Sequence, residues 1–133
     1  KGQEQGDEEA QNVLAAMYFK GDGVRVPQDY TESAKWSRKA AEQGNAAAQY
    51  RLAAMYGAGQ GVPQDDTEAT KWLRKAAEQG DAKGQYHLGV MYRDGEGVPQ
   101  DKAEAMKWFR KAAEQGNSDA KEWLEKNSKE SEE

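Results

Sequence analysis

The pentapeptide Ala-Ala-Glu-Gln-Gly occurs at residues 40–44, 76–80 and 112–116, each copy 36 residues after the one before. A fixed step of that length constrains the fold more than any composition. It marks a supersecondary unit that is stacked, whereas a phosphate loop or catalytic motif is usually built once per site. Laying residues 44–79 over 80–115 leaves 23 of 36 positions identical. Residues 6–43 follow the same pattern with two extra residues near Val24 and Arg25, and 116–133 opens a fourth unit that turns polar. The expected organisation is therefore one repeat domain over 1–133. Its units lie at 6–43, 44–79 and 80–115, and a partial capping helix with an acidic tail follows at 116–133. A further Glu-Gln-Gly at 4–6 reads as the end of another such unit.

Each unit reads as two helices. Asp7, Asn45, Asp81 and Asn117 follow a glycine and are good N-caps for the first helix. Ala48, Leu52 and Tyr56 lie four apart, as do Gly84, Leu88 and Tyr92, which is a helical stripe. Met17, Met55 and Met91 fall on the core side by the same spacing. Pro27, Pro63 and Pro99 cannot sit inside a helix ladder, so the first helix ends before them. The pairs Asp29/Glu32, Asp65/Glu68 and Asp101/Glu104 read as capping boxes, in which Asp accepts from the third amide and Glu reaches back. The second helix then places Ala69, Trp72, Leu73 and Ala76 on one face, with Ala105, Trp108, Phe109 and Ala112 in the next unit. Trp36, Trp72 and Trp108 share one repeat position and are expected between helices, and Trp123 is expected to cover the end of the stack. On this reading the pentapeptide is a stop-and-restart device. Its alanines let helices approach, Glu-Gln forms an exposed last turn, and Gly44, Gly80 and Gly116 take the left-handed conformation that ends a helix. The expected class is all-α, with about seven helices.

Composition narrows the functions. Hydrophobic residues make up 36% and charged residues 32% of the chain, which is thin for one globular core but suits stacked units. A net charge of −5 argues against nucleic-acid binding through the phosphate backbone. Alternating Lys and Glu in segments such as KWLRKAAEQ reads as a solvated helix face. The chain has no Cys, which excludes disulfides and thiolate metal sites. No apolar run approaches the roughly 20 residues that span a bilayer, so membrane insertion is not expected. His87, the single histidine, stands where Arg51 and Val13 stand in other units and is assigned a structural or surface role. The glycines at 57, 59, 61, 95 and 97 follow a helix and precede Val-Pro-Gln-Asp, so they read as turns and not as a nucleotide loop. Residues 93–97 lack the spaced oxygens of a calcium loop. No metal, cofactor or base–nucleophile pair is expected, and the chain is not read as an enzyme.

The stretch AQYRLAAMYGAGQGVPQDDTEATKWLRKAAEQG resembles a Sel1-like repeat, a relative of the tetratricopeptide repeat. The resemblance covers about residues 6–128. Departures are local: Ser33 and Ser37 stand where later units have Ala and Leu or Phe, and the fourth unit shows Asn127 and Ser128 in place of Met and Tyr. Polar replacement at both ends is what exposed solenoid ends require. The resemblance implies a right-handed superhelical solenoid of antiparallel helix pairs, with first helices on the concave side and second helices on the convex side. Such proteins serve mainly as adaptors, so a protein or peptide partner held on the concave face is expected. An envelope or secreted setting fits the resemblance, and so does the cytoplasm.

By resemblance to the tetratricopeptide groove, one concave row contains Asn12, Tyr50, Tyr86 and Glu122, and a parallel row contains Ala16, Ala54 and Val90. The rim contains Glu9, Ala47, Lys83 and Asp119, with Phe19, Lys20, Arg93 and Asp94 near the helix ends. The candidate partner-binding residues are Asn12, Phe19, Tyr50, Lys83, Tyr86, Val90 and Arg93. Tyrosine offers a broad apolar face and a hydrogen-bonding tip, which suits binding. The competing reading is that Tyr50 and Tyr86 pack between adjacent repeats. For the whole chain, the alternative is a regular spacer, or an engineered consensus array, with no ligand of its own.

Overall fold

The structure is a computed structural model that describes residues 2–21 and 27–132, with side chains over 7–21 and 27–127. The two-residue insertion near Val24 and Arg25 lies outside the described residues, as does the side chain of Ser128. Seven helices follow in order: α1 (Gly2–Lys20), α2 (Tyr30–Glu42), α3 (Ala46–Ala58), α4 (Asp66–Glu78), α5 (Ala82–Asp94), α6 (Lys102–Glu114) and α7 (Ser118–Glu132). There is no strand among the described residues. The most extensive packing is within the pairs α1–α2, α3–α4 and α5–α6, and α2–α3, α4–α5 and α6–α7 join one pair to the next. α1 also touches α3 directly. A chain in which each element meets its sequence neighbours is a solenoid, whose stability is a sum of units and nearest-neighbour interfaces.

The pentapeptide ends helices as its spacing implied. The amides of Gln43 and Asn45 return to the Ala40 carbonyl and that of Gly44 to Ala41, and the same bonds recur at 79–81 and 115–117. The turn needs φ of 101°, 99° and 95° at Gly44, Gly80 and Gly116, values a side chain would strain. The next residue then caps: Asn45 accepts from the Ala48 amide (2.9 Å), Asp81 from Gly84 (2.8 Å) and Asn117 from Ala120 (2.9 Å). Asp7 departs from this pattern. It lies inside α1, which runs through Gly6 without a break. The stop works by returning amides to the carbonyls of a preceding second helix, and none precedes Gly6 among the described residues.

The capping boxes form by half. Asp29, Asp65 and Asp101 accept from the amides of Glu32, Glu68 and Glu104 at 3.0, 3.1 and 3.1 Å. The return bond from Glu is absent because each Asp amide is already used. It donates to the carbonyl of Tyr18, Tyr56 or Tyr92 in the helix before. Glu68 and Glu104 turn instead toward Lys71 and Lys107, both at 3.7 Å. The connectors before Asp65 and Asp101 lie on the preceding unit. A Cβ on Gly61 would collide with the Tyr30 carbonyl, and one on Gly97 with Thr70 and the Asp66 carbonyl.

The core contains the expected stripes: Ala48, Leu52, Leu88, Phe109 and Ala112 are fully buried, and Trp72 and Trp108 are 5% and 4% exposed. Four residues differ from expectation. Met17 is 44% exposed, whereas Met55 is fully buried. Met55 packs with Ser33 and Met91 with Thr70 on the second helix of the preceding unit, and among the described residues no such helix lies against α1. Trp36 is only half-buried: two lysines of its own helix lie over its ring, as they do over Trp72 and Trp108, and Arg38 of the unit before adds to the cover of Trp72. Ser33 and Ser37 are fully buried, so they are core residues and not the polar surface of an exposed end. Ser33 Oγ donates to the Ala15 carbonyl at 2.7 Å.

The glutamine of the pentapeptide is more than an exposed last turn. Gln49 on α3 donates to the Ala41 carbonyl of the unit before (3.1 Å), and Gln79 donates to Gln49 Oε1 (2.7 Å). Gln85, Ala77 and Gln115 repeat the relay at 3.1 and 2.8 Å, and Gln43 bonds Gln11 at 2.6 Å. A second clasp joins the same units, in which Arg38 donates to the Tyr56 hydroxyl and Arg74 to that of Tyr92.

Candidate functional site

The first helices α1, α3, α5 and α7 line three grooves, one of them shared with α4. Within this row the residue six past the cap in one unit reaches the residue five past the cap in the unit before. Arg51 donates to Asn12 Oδ1 at 2.7 Å, and the His87 ring lies 5.5 Å from that of Tyr50. His87 also meets Tyr86 edge-on at 5.3 Å, and Tyr86 packs on Phe109 at 5.5 Å. At the end of the row Trp123 lies on Phe109 at 4.4 Å, covering the stack as expected.

Two grooves flank Tyr50 and Ala54, which line both. One, of about 290 Å³, is bounded by Ala53, Leu73, Val90 and Met91, with His87 and Glu96 as further polar members. The other, of about 590 Å³, lies between α1, α3 and the start of α5, and is lined by Phe19, Ala47, Arg51, Asp81 and Lys83. A smaller recess of about 160 Å³ holds Tyr86, Asp119, Glu122, Trp123 and Lys126.

Burial tunes the ionisable groups in this row. Burial, and then the Asp81 charge, push the Tyr50 phenol upward, so it stays a neutral hydroxyl. Desolvation lowers the His87 imidazole, opposed by Asp119 and Asp81. The His87 side chain keeps an open edge to water while its ring is flanked by the two tyrosines. Arg51 is lowered by burial, which measures the cost of holding a guanidinium there.

The candidate residues fall into three places. Phe19, Tyr50 and Lys83 meet around the larger groove, and Tyr50 and Val90 around the smaller. Tyr86 lines the separate recess and is tied to Tyr50 through His87. Asn12 is occupied by Arg51 and lines neither groove. Arg93 turns aside to pair with Asp94 at 2.9 Å, a bond that raises Arg93 and lowers Asp94. The sequence reading passed over Arg51, His87, Leu73 and Met91. The available signal was variation: Val13, Arg51, His87 and Trp123 occupy one repeat position in an otherwise constant frame. Tyr50 and Tyr86 each pack against the core, as the competing reading expected, and each is only partly buried. Among the described residues no His, Cys, Asp or Glu cluster is arranged for a metal ion. No described helix is long and apolar enough to cross a membrane.

The Sel1 repeat model matches the chain at residues 8–45, 46–81 and 82–117. A search of curated proteins gave no match. Among solved structures, the chain is similar to a protective antigen of uropathogenic Escherichia coli strains that displays an SLR fold. The two are 46% identical with a TM-score of 0.83, over 88% of this chain and 25% of the antigen. The chain thus spans a quarter of the antigen's length. A Sel1 repeat protein from Oxalobacter formigenes is 43% identical with a TM-score of 0.82, over 92% of this chain and 90% of that one. Helicobacter pylori cysteine rich protein B is 26% identical with a TM-score of 0.74, over 90% of each chain. This chain has no cysteine, and its units are joined by packing and by the glutamine and Arg–Tyr bonds.

Proposed function

The chain belongs to the Sel1 repeat family, and we propose that it acts as a non-catalytic adaptor, holding a peptide or protein segment against its first helices. The observation that carries this reading is the pair of grooves sharing Tyr50 and Ala54. Small residues form the floor between half-buried aromatic rings, and charged side chains stand at the edge. Solenoids characteristically bind through such an extended inner surface, and tyrosines commonly supply interface energy. The second helices offer a different surface. Lys71 and Lys107 lie over the faces of Trp72 and Trp108 at 5.1 Å in each case, and their ammonium ends pair with glutamates in the same helix.

The test is selection of a displayed random peptide library on the immobilised protein, followed by affinity measurement with the enriched peptides. The double change Tyr50→Ala plus Tyr86→Ala is expected to weaken binding by about tenfold or more. Lys71→Ala plus Lys107→Ala is expected to stay within about twofold, as for solvated charges outside the contact. Circular dichroism at the assay temperature must show the tyrosine variant folded. Undiminished binding by that folded variant would overturn the reading, and a library that yields no binder would favour a spacer.

A further inference from the structure

The two grooves on either side of Tyr50 and Ala54 differ in chemistry. The smaller is walled by Ala53, Leu73, Val90 and Met91 at about 290 Å³. An apolar cavity of about 150 Å³ suffices for benzene, so this groove has room for one large apolar side chain with part of its backbone. The larger groove carries Arg51 and Lys83. Arg51 has a neutral partner, Asn12 Oδ1, and no carboxylate forms an ion pair with it among the described residues. Lys83 is exposed at the rim. Asp81 shares the groove, but one of its oxygens is engaged as the N-cap of α5 through the Gly84 amide. Two cations face one carboxylate there, and one of the cations is partly desolvated without a counter-ion. A partly desolvated charge of this kind is favoured by an incoming opposite charge.

We propose that the trough recognises a peptide in which a large apolar side chain stands next to a carboxylate, the side chain entering the smaller groove and the carboxylate meeting Arg51 and Lys83. The inference rests on the adaptor reading and specifies its ligand. Tyr50 sits between the two positions, with its ring available to the peptide backbone. The carboxylate can belong to an Asp or Glu side chain or to a chain terminus, and the chemistry at Arg51 is the same.

The test is a nuclear magnetic resonance titration of the whole ¹⁵N-labelled chain with four synthetic peptides in a Gly/Ser background. Three have both ends blocked and contain Leu-Asp, Leu-Asn or Ala-Asp, and the fourth ends in Leu with a free carboxylate. Leu-Asp is expected to shift the amides of Ala54, His87 and Val90, and Leu-Asn to bind about tenfold more weakly, as for loss of a charged hydrogen bond. In Arg51→Gln, which can still donate to Asn12, that difference should shrink below about twofold. Gly57→Leu should abolish binding of every probe. A Cβ at Gly57, which also lines the smaller groove, meets nothing within 4 Å, and replacing a helical glycine supports the fold. Ala-Asp binding as well as Leu-Asp would remove the apolar anchor. Tighter binding of the free-carboxylate peptide than of Leu-Asp assigns the anion to a chain end, and the reverse assigns it to a side chain. Equal binding of Leu-Asp and Leu-Asn, an unchanged ratio in Arg51→Gln, or no shift with any probe overturns the inference. In those cases display-selected peptides that still depend on Tyr50 and Tyr86 would leave the adaptor reading standing.

Discussion

The first and third units share a plan and fill it differently. In the third, Phe109 is fully buried, lies between Tyr86 and Trp123, and rests on Gly89. In the first, the equivalent position is Ser37, also fully buried, and the equivalent of Gly89 is Ala15. The second unit is intermediate, with Leu73 and Ala53. As the second-helix residue grows from Leu to Phe, its first-helix counterpart shrinks from Ala to Gly. The second and third units thus trade volume across the interface, as close-packed interiors require, whereas Ser37 opposite Ala15 leaves the first unit less filled. The difference also shows where the stack is tight. The third unit is clasped by neighbours on both sides, whereas the first leaves Val13 and Met17 exposed.

The largest expected break in this comparison is at the tryptophans. Trp108→Ala removes a ring that is 4% exposed, and large-to-small changes of this type cost about 3–5 kcal/mol. Trp36→Ala removes a ring that is only half-buried, so it should cost less than half as much. Urea denaturation followed by circular dichroism measures both. Equal losses would mean that the first unit is as tightly held as the third.

Much of this was legible before any coordinates, and the exceptions have a common cause. Caps, helix ends and core stripes are local, so their chemistry recurs within a few residues and the repeat displays it three times. The errors arose where a role depends on another helix, of the same unit or of the one before. Asp7 and Met17 match their repeat equivalents in type, yet the helix that would make one a cap and the other a core residue is not packed against them. Glu32, Glu68 and Glu104 have capping-box spacing, but the amide each would need is taken by a tyrosine carbonyl one helix back. Gln79 is exposed as expected, but its bond to Gln49, 30 residues away, is not legible locally. The surroundings of the candidate site depend on neighbours in the same way. His87 reads as a variable position in its own helix, and its contact with Tyr50 comes from the unit before.

A smaller effect sharpens the volume argument. A Cβ added to Gly89 would lie 2.9–3.0 Å from Phe109 ring atoms, closer than real contacts allow. Gly89→Ala should therefore destabilise by up to about 2 kcal/mol, the overpacking cost less the helix propensity gained. Combined with Phe109→Leu, the pair becomes the Ala/Leu combination of the second unit. The double variant should then be more stable than the two single losses summed, by about 1 kcal/mol of coupling. Additive losses would show that the Gly–Phe pairing is incidental.

The smallest expected effects are at two serines one helical turn apart, and they should have opposite signs. Both are fully buried, and both stand where the third unit has an apolar residue. Ser33 Oγ donates to the Ala15 carbonyl at 2.7 Å, joining α2 to α1. Ser33→Ala removes that bond and should cost about 0.5–1.5 kcal/mol. Ser37 Oγ has no hydrogen-bond partner, so its hydroxyl was desolvated without return. Ser37→Ala deletes the orphaned group, keeps most of the volume and raises helix propensity, for a gain of about 1 kcal/mol. Thermal unfolding at fixed pH, followed at a helical circular-dichroism wavelength, should place the two variants on opposite sides of the parent. If Ser37→Ala instead lowers the midpoint as Ser33→Ala does, the hydroxyl has a partner in solution. The first unit would then be polar by construction and not merely less well filled than the third.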